Sequence, residues 1–128
     1  MRNAITYGES EHDLKGAIMI TGAMANVAVG DSERAQSWYV KVLGREPDAS
    51  PMPGLLEWHL TEDSGLQVWT EPDRAGCSTA VIGESDLDGV AARLTEVGVA
   101  HDGPQPGGGQ RILPLADPDG NRVVFVGE

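Results

Sequence analysis

Two stretches of this chain share one grammar, in which a turn-forming cluster runs without a break into a strand-forming run. Residues 115–126 read LADPDGNRVVFV. Pro118 fixes φ, Asp119 tolerates the bend, and Gly120 or Asn121 accepts a positive φ, after which the β-branched and aromatic run is strand-like. Residues 63–69, DSGLQVW, repeat the pattern in weaker form, so that Gly65 and Gly120 each open a short strand. The pairing predicts two copies of one unit. In a chain of 128 residues each copy is marginal alone, and the two are expected to share an interface within a single domain.

The segments between the turns support the duplication. From Ile18 to Val29 the composition is strand-like, and in Met24-Ala25-Asn26-Val27-Ala28-Val29 period two places Ala25, Val27 and Val29 on one face and turns Met24 and Asn26 to the other. Asp31 is a good N-cap, and Ala35, Trp38, Tyr39, Val42 and Leu43 recur at helical spacing until Gly44 stops the helix, which predicts a first helix over residues 31–43 with Trp38 and Tyr39 in the core. Proline and glycine break the chain over residues 46–54. Strands follow at 55–61 and 66–70, and the hydrophilic link 71–76 separates module one, residues 17–72, from module two, residues 77–128. Module two opens with a short strand at 78–83. Its helix spans 86–97, with Ser85 and Asp88 at capping-box spacing and an apolar stripe of Leu87, Val90, Ala91, Leu94 and Val97 ending at Gly98. A Gly- and Pro-rich loop with a short strand covers 99–109, and strands at 111–116 and 122–126 flank the second turn. The order is strand, helix and three strands, twice over. Residues 1–16 are polar and unpatterned and read as a mobile arm, or as one added edge strand.

Charge and cysteine usage exclude several classes of function. Nine Lys and Arg against twenty Asp and Glu give a formal charge of -11, which repels phosphate backbones and anionic membranes, so neither nucleic acid nor a membrane is an expected partner. Cys77 is the only cysteine, which rules out an internal disulfide and a cysteine zinc cluster and suits a reducing cytoplasm. Residues 17–25 are apolar with small residues near their end. Glu9, Glu11 and Asp13 precede them, against Arg2 and Lys15, where a secretion signal needs positive charge.

The run Val29-Gly-Asp31-Ser-Glu-Arg-Ala-Gln-Ser-Trp38-Tyr39-Val-Lys-Val-Leu43-Gly44, with Asp117-Pro-Asp-Gly-Asn121 at the far end, resembles the vicinal oxygen chelate superfamily of glyoxalases, extradiol dioxygenases and bleomycin resistance proteins. The resemblance covers residues 18–127. It implies an α+β fold of two tandem βαβββ modules, the strands forming a curved mixed sheet around a cleft and the helices lying on its outer face. Counted from the motifs, the metal-ligand positions of the family's enzymes fall on Met24, Trp69, Thr79 and Val124, where the family pattern wants His, Gln or Glu. A divalent cation needs three or four N or O donors. The resemblance is therefore to metal-free, bleomycin-resistance-type members, with no cofactor and no catalytic residue expected.

Such positions instead make an apolar, partly aromatic cleft floor suited to an organic ligand. The candidate binding residues are Met24, Asn26, Trp58, Trp69, Thr79, Val81, Val124 and Val126. Trp69 and Trp58 are candidate stacking platforms, and the Asn26 amide could orient a guest by donating and accepting at once. Glu57 and His59 share a strand face and could form an acid-base pair, while Arg111 could meet a ligand carboxylate; His12 and His101 read as surface histidines. The function expected is sequestration of an aromatic or bulky apolar compound by a homodimer. The alternatives are a lyase or dioxygenase-type enzyme with metal ligands displaced to His59, Glu57 and His101, and an accessory module without a ligand.

Overall fold

The computed structural model describes residues 18–128, so the expected arm of residues 1–16 lies outside the described residues. Module one comprises β1 (Ala23–Val29), α1 (Ser32–Leu43), β2 (Ala49–Met52), β3 (Leu55–Thr61) and β4 (Ser64–Thr70). A short 3-10 turn at Pro72–Arg74 leads to module two: β5 (Thr79–Glu84), α2 (Leu87–Glu96), β6 (Gln105–Pro106), β7 (Arg111–Ala116) and β8 (Arg122–Gly127). Each module makes one four-stranded mixed sheet, ordered β1-β4-β3-β2 and β5-β8-β7-β6. β1 runs parallel to β4 and β5 parallel to β8, and the remaining pairs are antiparallel. The architecture is the duplicated α+β fold expected. None of the helices among the described residues is long and apolar enough to cross a membrane.

Local chemistry accounts for the helix ends. The Asp31 carboxylate accepts the Arg34 amide and Gly44 closes α1 at a φ of 75°. In α2 the cap is Asp86, which accepts the Gly89 amide, and not the Ser85 capping box. Two strand boundaries also differ from the sequence reading. β1 begins only at Ala23, whose amide bonds to Asp63 O, and Ile18, Met19 and Ile20 stand exposed ahead of it. Within the Pro- and Gly-rich break, the chain makes β2 by pairing Ala49 with Glu57 and Met52 with Leu55 across a register shift. A strand supported on one side needs little propensity of its own.

One hydrophobic core serves both modules. It joins Val27, Val29, Leu66 and Trp58 under α1 to Ala80, Leu113, Val123 and Phe125 under α2, with Tyr39, Val42, Leu87 and Leu94 from the helices between them. Tyr39 is fully buried, and Trp38 packs against the core in an edge-on contact with the Tyr39 ring.

The modules are joined by the second turn. Asp117 is buried and accepts the Tyr39 hydroxyl at 2.7 Å, the Asn121 amide N–H at 2.8 Å and the Asn121 side chain at 2.8 Å. The fully buried Asn121 side chain also donates to Ala28 O of β1 and accepts from Ser78 N, both at 2.8 Å. Gly76 passes so close to Asp119 O that a Cβ would lie 2.5 Å from it, and its φ is +90°, so only glycine fits there. On the helix layer, Arg93 of α2 donates to Lys41 O and Val42 O at the end of α1, filling carbonyls that the helix leaves open.

Two outcomes follow for stability. Asn121→Ala strands Ser78 N and Ala28 O in the interior, and chemical denaturation should show a loss on the order of 3 kcal/mol, since each buried orphan costs roughly 1–3 kcal/mol. Burial first, and then the bond to Asp117, pushes the Tyr39 phenol far above its ordinary value of 10.0. A raised folded pKa means that its contribution is complete below that value and declines as pH rises past it. Denaturation midpoints measured between about pH 8 and 11 should fall at the alkaline end, and more gently in Tyr39→Phe.

Candidate functional site

Strand alternation sends one set of side chains toward the helices and the other to a helix-free face. In module one the register puts Met24 beside Gly65, Asn26 beside Gln67 and Ala28 beside Trp69. Across the next ladder Trp69 faces Leu55, Gln67 faces Glu57 and Gly65 faces His59. These residues line one helix-free face. In module two the corresponding face carries Thr79 beside Arg122, Val81 beside Val124 and Gly83 beside Val126, with Ala116, Pro114 and Ile112 of β7 opposite Arg122, Val124 and Val126.

The module-one face is organised by a hydrogen-bonded row across three strands. Asn26 Nδ2 donates to Gln67 Oε1 at 3.1 Å, Gln67 Nε2 donates to Glu57 Oε2 at 2.7 Å, and His59 Nε2 lies 3.2 Å from Glu57 Oε1. The Gln67 bond first, and His59 second, hold the Glu57 carboxyl below the usual carboxylate range. One row along the strands lies the half-buried Trp69, flanked by Leu55 and Ala28. The module-two face is apolar apart from Thr79 and Arg122, and Val81 is 62% exposed on it.

The two sheets abut along β1 and β5. They are tied at one end, where Ala28 N donates to Ser78 Oγ at 3.1 Å. At the other end they part around a groove of about 580 Å³, with Met24, Ala25 and Gly65 on one side, Val81, Ile82 and Gly83 on the other, and Val42, Leu66 and Phe125 at its base. A second hollow of about 670 Å³ opens beside His59, Gln67 and Met24, at the end of the polar row.

Of the eight sequence candidates, Met24, Asn26 and Trp69 lie on the module-one helix-free face, and Thr79, Val81, Val124 and Val126 on that of module two. Trp58 does not join them. It points to the helices, is fully buried against Tyr39 and donates Nε1 to Arg45 O, so the core has taken its ring and its polar atom alike. Arg111 is likewise committed, since both its terminal nitrogens bond to Asp88 of α2 at 3.1 and 2.9 Å. His101 contacts Thr95 Oγ1, not Glu57 or His59, and His12 lies outside the described residues. Sequence reasoning missed Gln67. Its signal was period-two spacing from Trp69, but only the pairing register shows that it bridges Asn26 and Glu57.

The register also corrects the counted metal positions. Met24 and Trp69 lie four residues apart on adjacent parallel strands, about 13 Å along the sheet, so they cannot share one coordination sphere. The side-by-side quartet in the two modules is instead Asn26 with Gln67 and Val81 with Val124. Two amides already bonded within their row and two valines do not fit a divalent ion. Among the described residues no three His, Cys, Asp or Glu side chains come together as a possible metal site.

Comparison with known proteins places this geometry. No protein-family profile matches the chain, and no curated protein sequence does. Among solved structures, a glyoxalase/bleomycin resistance protein from Catenulispora acidiphila is 32% identical with a TM-score of 0.77, the match covering 84% of this chain and 97% of that one. TnmS3, an antibiotic-binding protein from a Streptomyces species, is 30% identical with a TM-score of 0.73 over 87% of this chain and 97% of its own. A bleomycin-binding protein in complex with bleomycin shares the fold at 16% identity and a TM-score of 0.69, over 84% of this chain and 96% of its own. The duplicated fold and these identities define the class: the chain belongs to the glyoxalase/bleomycin resistance protein family of the dioxygenase superfamily.

Proposed function

We propose that this protein is a metal-free binder that sequesters an aromatic or bulky apolar organic compound and leaves it chemically unchanged. The observation that carries the reading is the pairing of unlike helix-free faces on one chain. One offers Trp69 beside a hydrogen-bonded amide row, and the other offers Val81, Val124 and Val126 with Ile112 and Pro114. A planar guest gains area on the valines and an offset contact on the indole, while the Asn26 amide fixes its orientation. The antibiotic-binding activity of TnmS3, 30% identical to this chain, supports the same kind of ligand. The donor set of the faces supports a role without metal chemistry.

The same exposed apolar surface supports a homodimer. Val81 at 62% and Met24 at 38% exposure, together with Ile18, Met19 and Ile20 ahead of β1, are apolar surface that a second copy of the chain would cover. Sedimentation equilibrium at micromolar concentration should return a mass near twice that of the chain; a monomer there would count against the dimer.

Stacking on the indole adds roughly 0.5–1.5 kcal/mol to area burial, so Trp69→Ala should weaken binding of a planar aromatic guest by about ten-fold. Fluorescence titration with a panel of aromatic natural products, with the guest recovered and checked by chromatography, measures both parts of the reading. Identical affinity in the variant would remove the stacking role, and turnover of any guest would make the protein an enzyme.

A further inference from the structure

We propose that Glu57 selects guests carrying a positive charge, so that the ligand class is a cationic fused-ring aromatic compound; this rests on the binding reading above. Leu55 lies opposite Trp69 and Glu57 opposite Gln67, so carboxylate and indole occupy neighbouring rows of one face, two residues or about 7 Å apart along β3. A fused ring system of that reach, stacked on Trp69, therefore extends over Glu57.

The carboxylate is built to stay charged and oriented. Its side chain is only 15% exposed, and Gln67 and His59 each hold one of its oxygens. Two bonds leave about half of a carboxylate's accepting capacity open to a guest. Held below the usual range by those same bonds, Glu57 is ionised at neutral pH. Its protein partners supply little countercharge. Gln67 is neutral, and among the described residues the one basic side chain within ion-pair distance of Glu57 is His59. Arg45, from the loop behind His59, is spent on Asp48 and on His59 O, and Arg122 lies on the helix-free face of module two. Glu62 and Asp63 line the hollow at the end of the row together with His59 and Gln67, so charge there is of the same sign as Glu57. A partly buried, pre-oriented anion with no permanent cation beside it favours a cationic guest, and a net charge of -11 draws such guests in. The indole face itself also attracts cations.

The test uses the full chain and two ring-matched probes, the cationic dye aminoacridine and its neutral counterpart acridone, with affinities from calorimetric titration. The wild-type protein should bind aminoacridine more tightly, and added salt should weaken that binding while leaving acridone nearly unchanged. Glu57→Gln keeps an acceptor for Gln67 and removes the charge; it should cost aminoacridine about ten-fold and acridone less than about two-fold. Trp69→Ala should weaken both. Equal affinities for the two probes in the wild-type protein, or equal losses in Glu57→Gln, would overturn charge selection and leave the binding reading standing. Failure of the wild-type protein to bind either probe would count against both. Net charge alone also favours a cation, so Glu33→Gln on α1 is the control and should leave both affinities within about two-fold; a loss there equal to that in Glu57→Gln would overturn the role of Glu57. If Glu57→Gln folds poorly, Glu57→Asp, which keeps the charge and draws it back by one methylene, should still weaken aminoacridine and spare acridone, and no change for either probe would overturn the proposal.

Discussion

The buried pair Asp117 and Asn121 is the constraint on which the rest of the structure depends. Two half-domains of this size bury too little surface to stand alone, and an apolar seam between them would fix no register. A buried carboxylate and amide do fix one, because each of their polar atoms must find its partner or lose its hydration without return. Tyr39 from α1, Ala28 from β1 and Ser78 ahead of β5 are those partners, so a single turn in module two specifies where module one sits. Arg93 does the same on the helix layer, through carbonyls at the end of α1.

The placing of these ties explains the shape of the joint. The sheets are held where Ala28 meets Ser78 and part toward Met24 and Val81, where the modules are joined through Arg93 of α2 and the carbonyls at the end of α1. Most of the core lies on the helix side, and Ala28, Leu55 and Val124 are the buried apolar residues of the helix-free faces, so most other positions there are released from packing duty. One face became apolar, and the other kept a polar row that would be a poor way to fill a core.

On that polar row the amide of Gln67 is bifunctional, accepting from Asn26 and donating to Glu57. A chain of this kind propagates orientation: fixing the carboxylate fixes the amide, and the amide fixes Asn26. An orientation imposed at one end of the row is thereby coupled to geometry at the other.

The sequence by itself determined what local chemistry can determine. The repeated turn and strand grammar disclosed the two modules, Asp31 and Gly44 marked the ends of α1, and alternation in β1 assigned Met24 and Asn26 to the face opposite Val27. Residues 46–54 hid a strand because β2 exists through its pairing with β3. The face of Trp58 was legible in its own segment, since period two groups it with Leu56 and Leu60 against Glu57, His59 and Thr61, and the bond to Arg45 O and the Tyr39 contact show that apolar phase turned to the helices. Counting from the glycines placed Trp69 next to Met24, whereas parallel pairing sets it beside Ala28 and brings Gln67 to Asn26. Caps, turns and period two are properties of neighbours in the chain. Register between β1 and β4 is a relation between segments some forty residues apart, chosen by the core that Val27, Leu66 and Val68 fill together, and so only the tertiary structure could decide it.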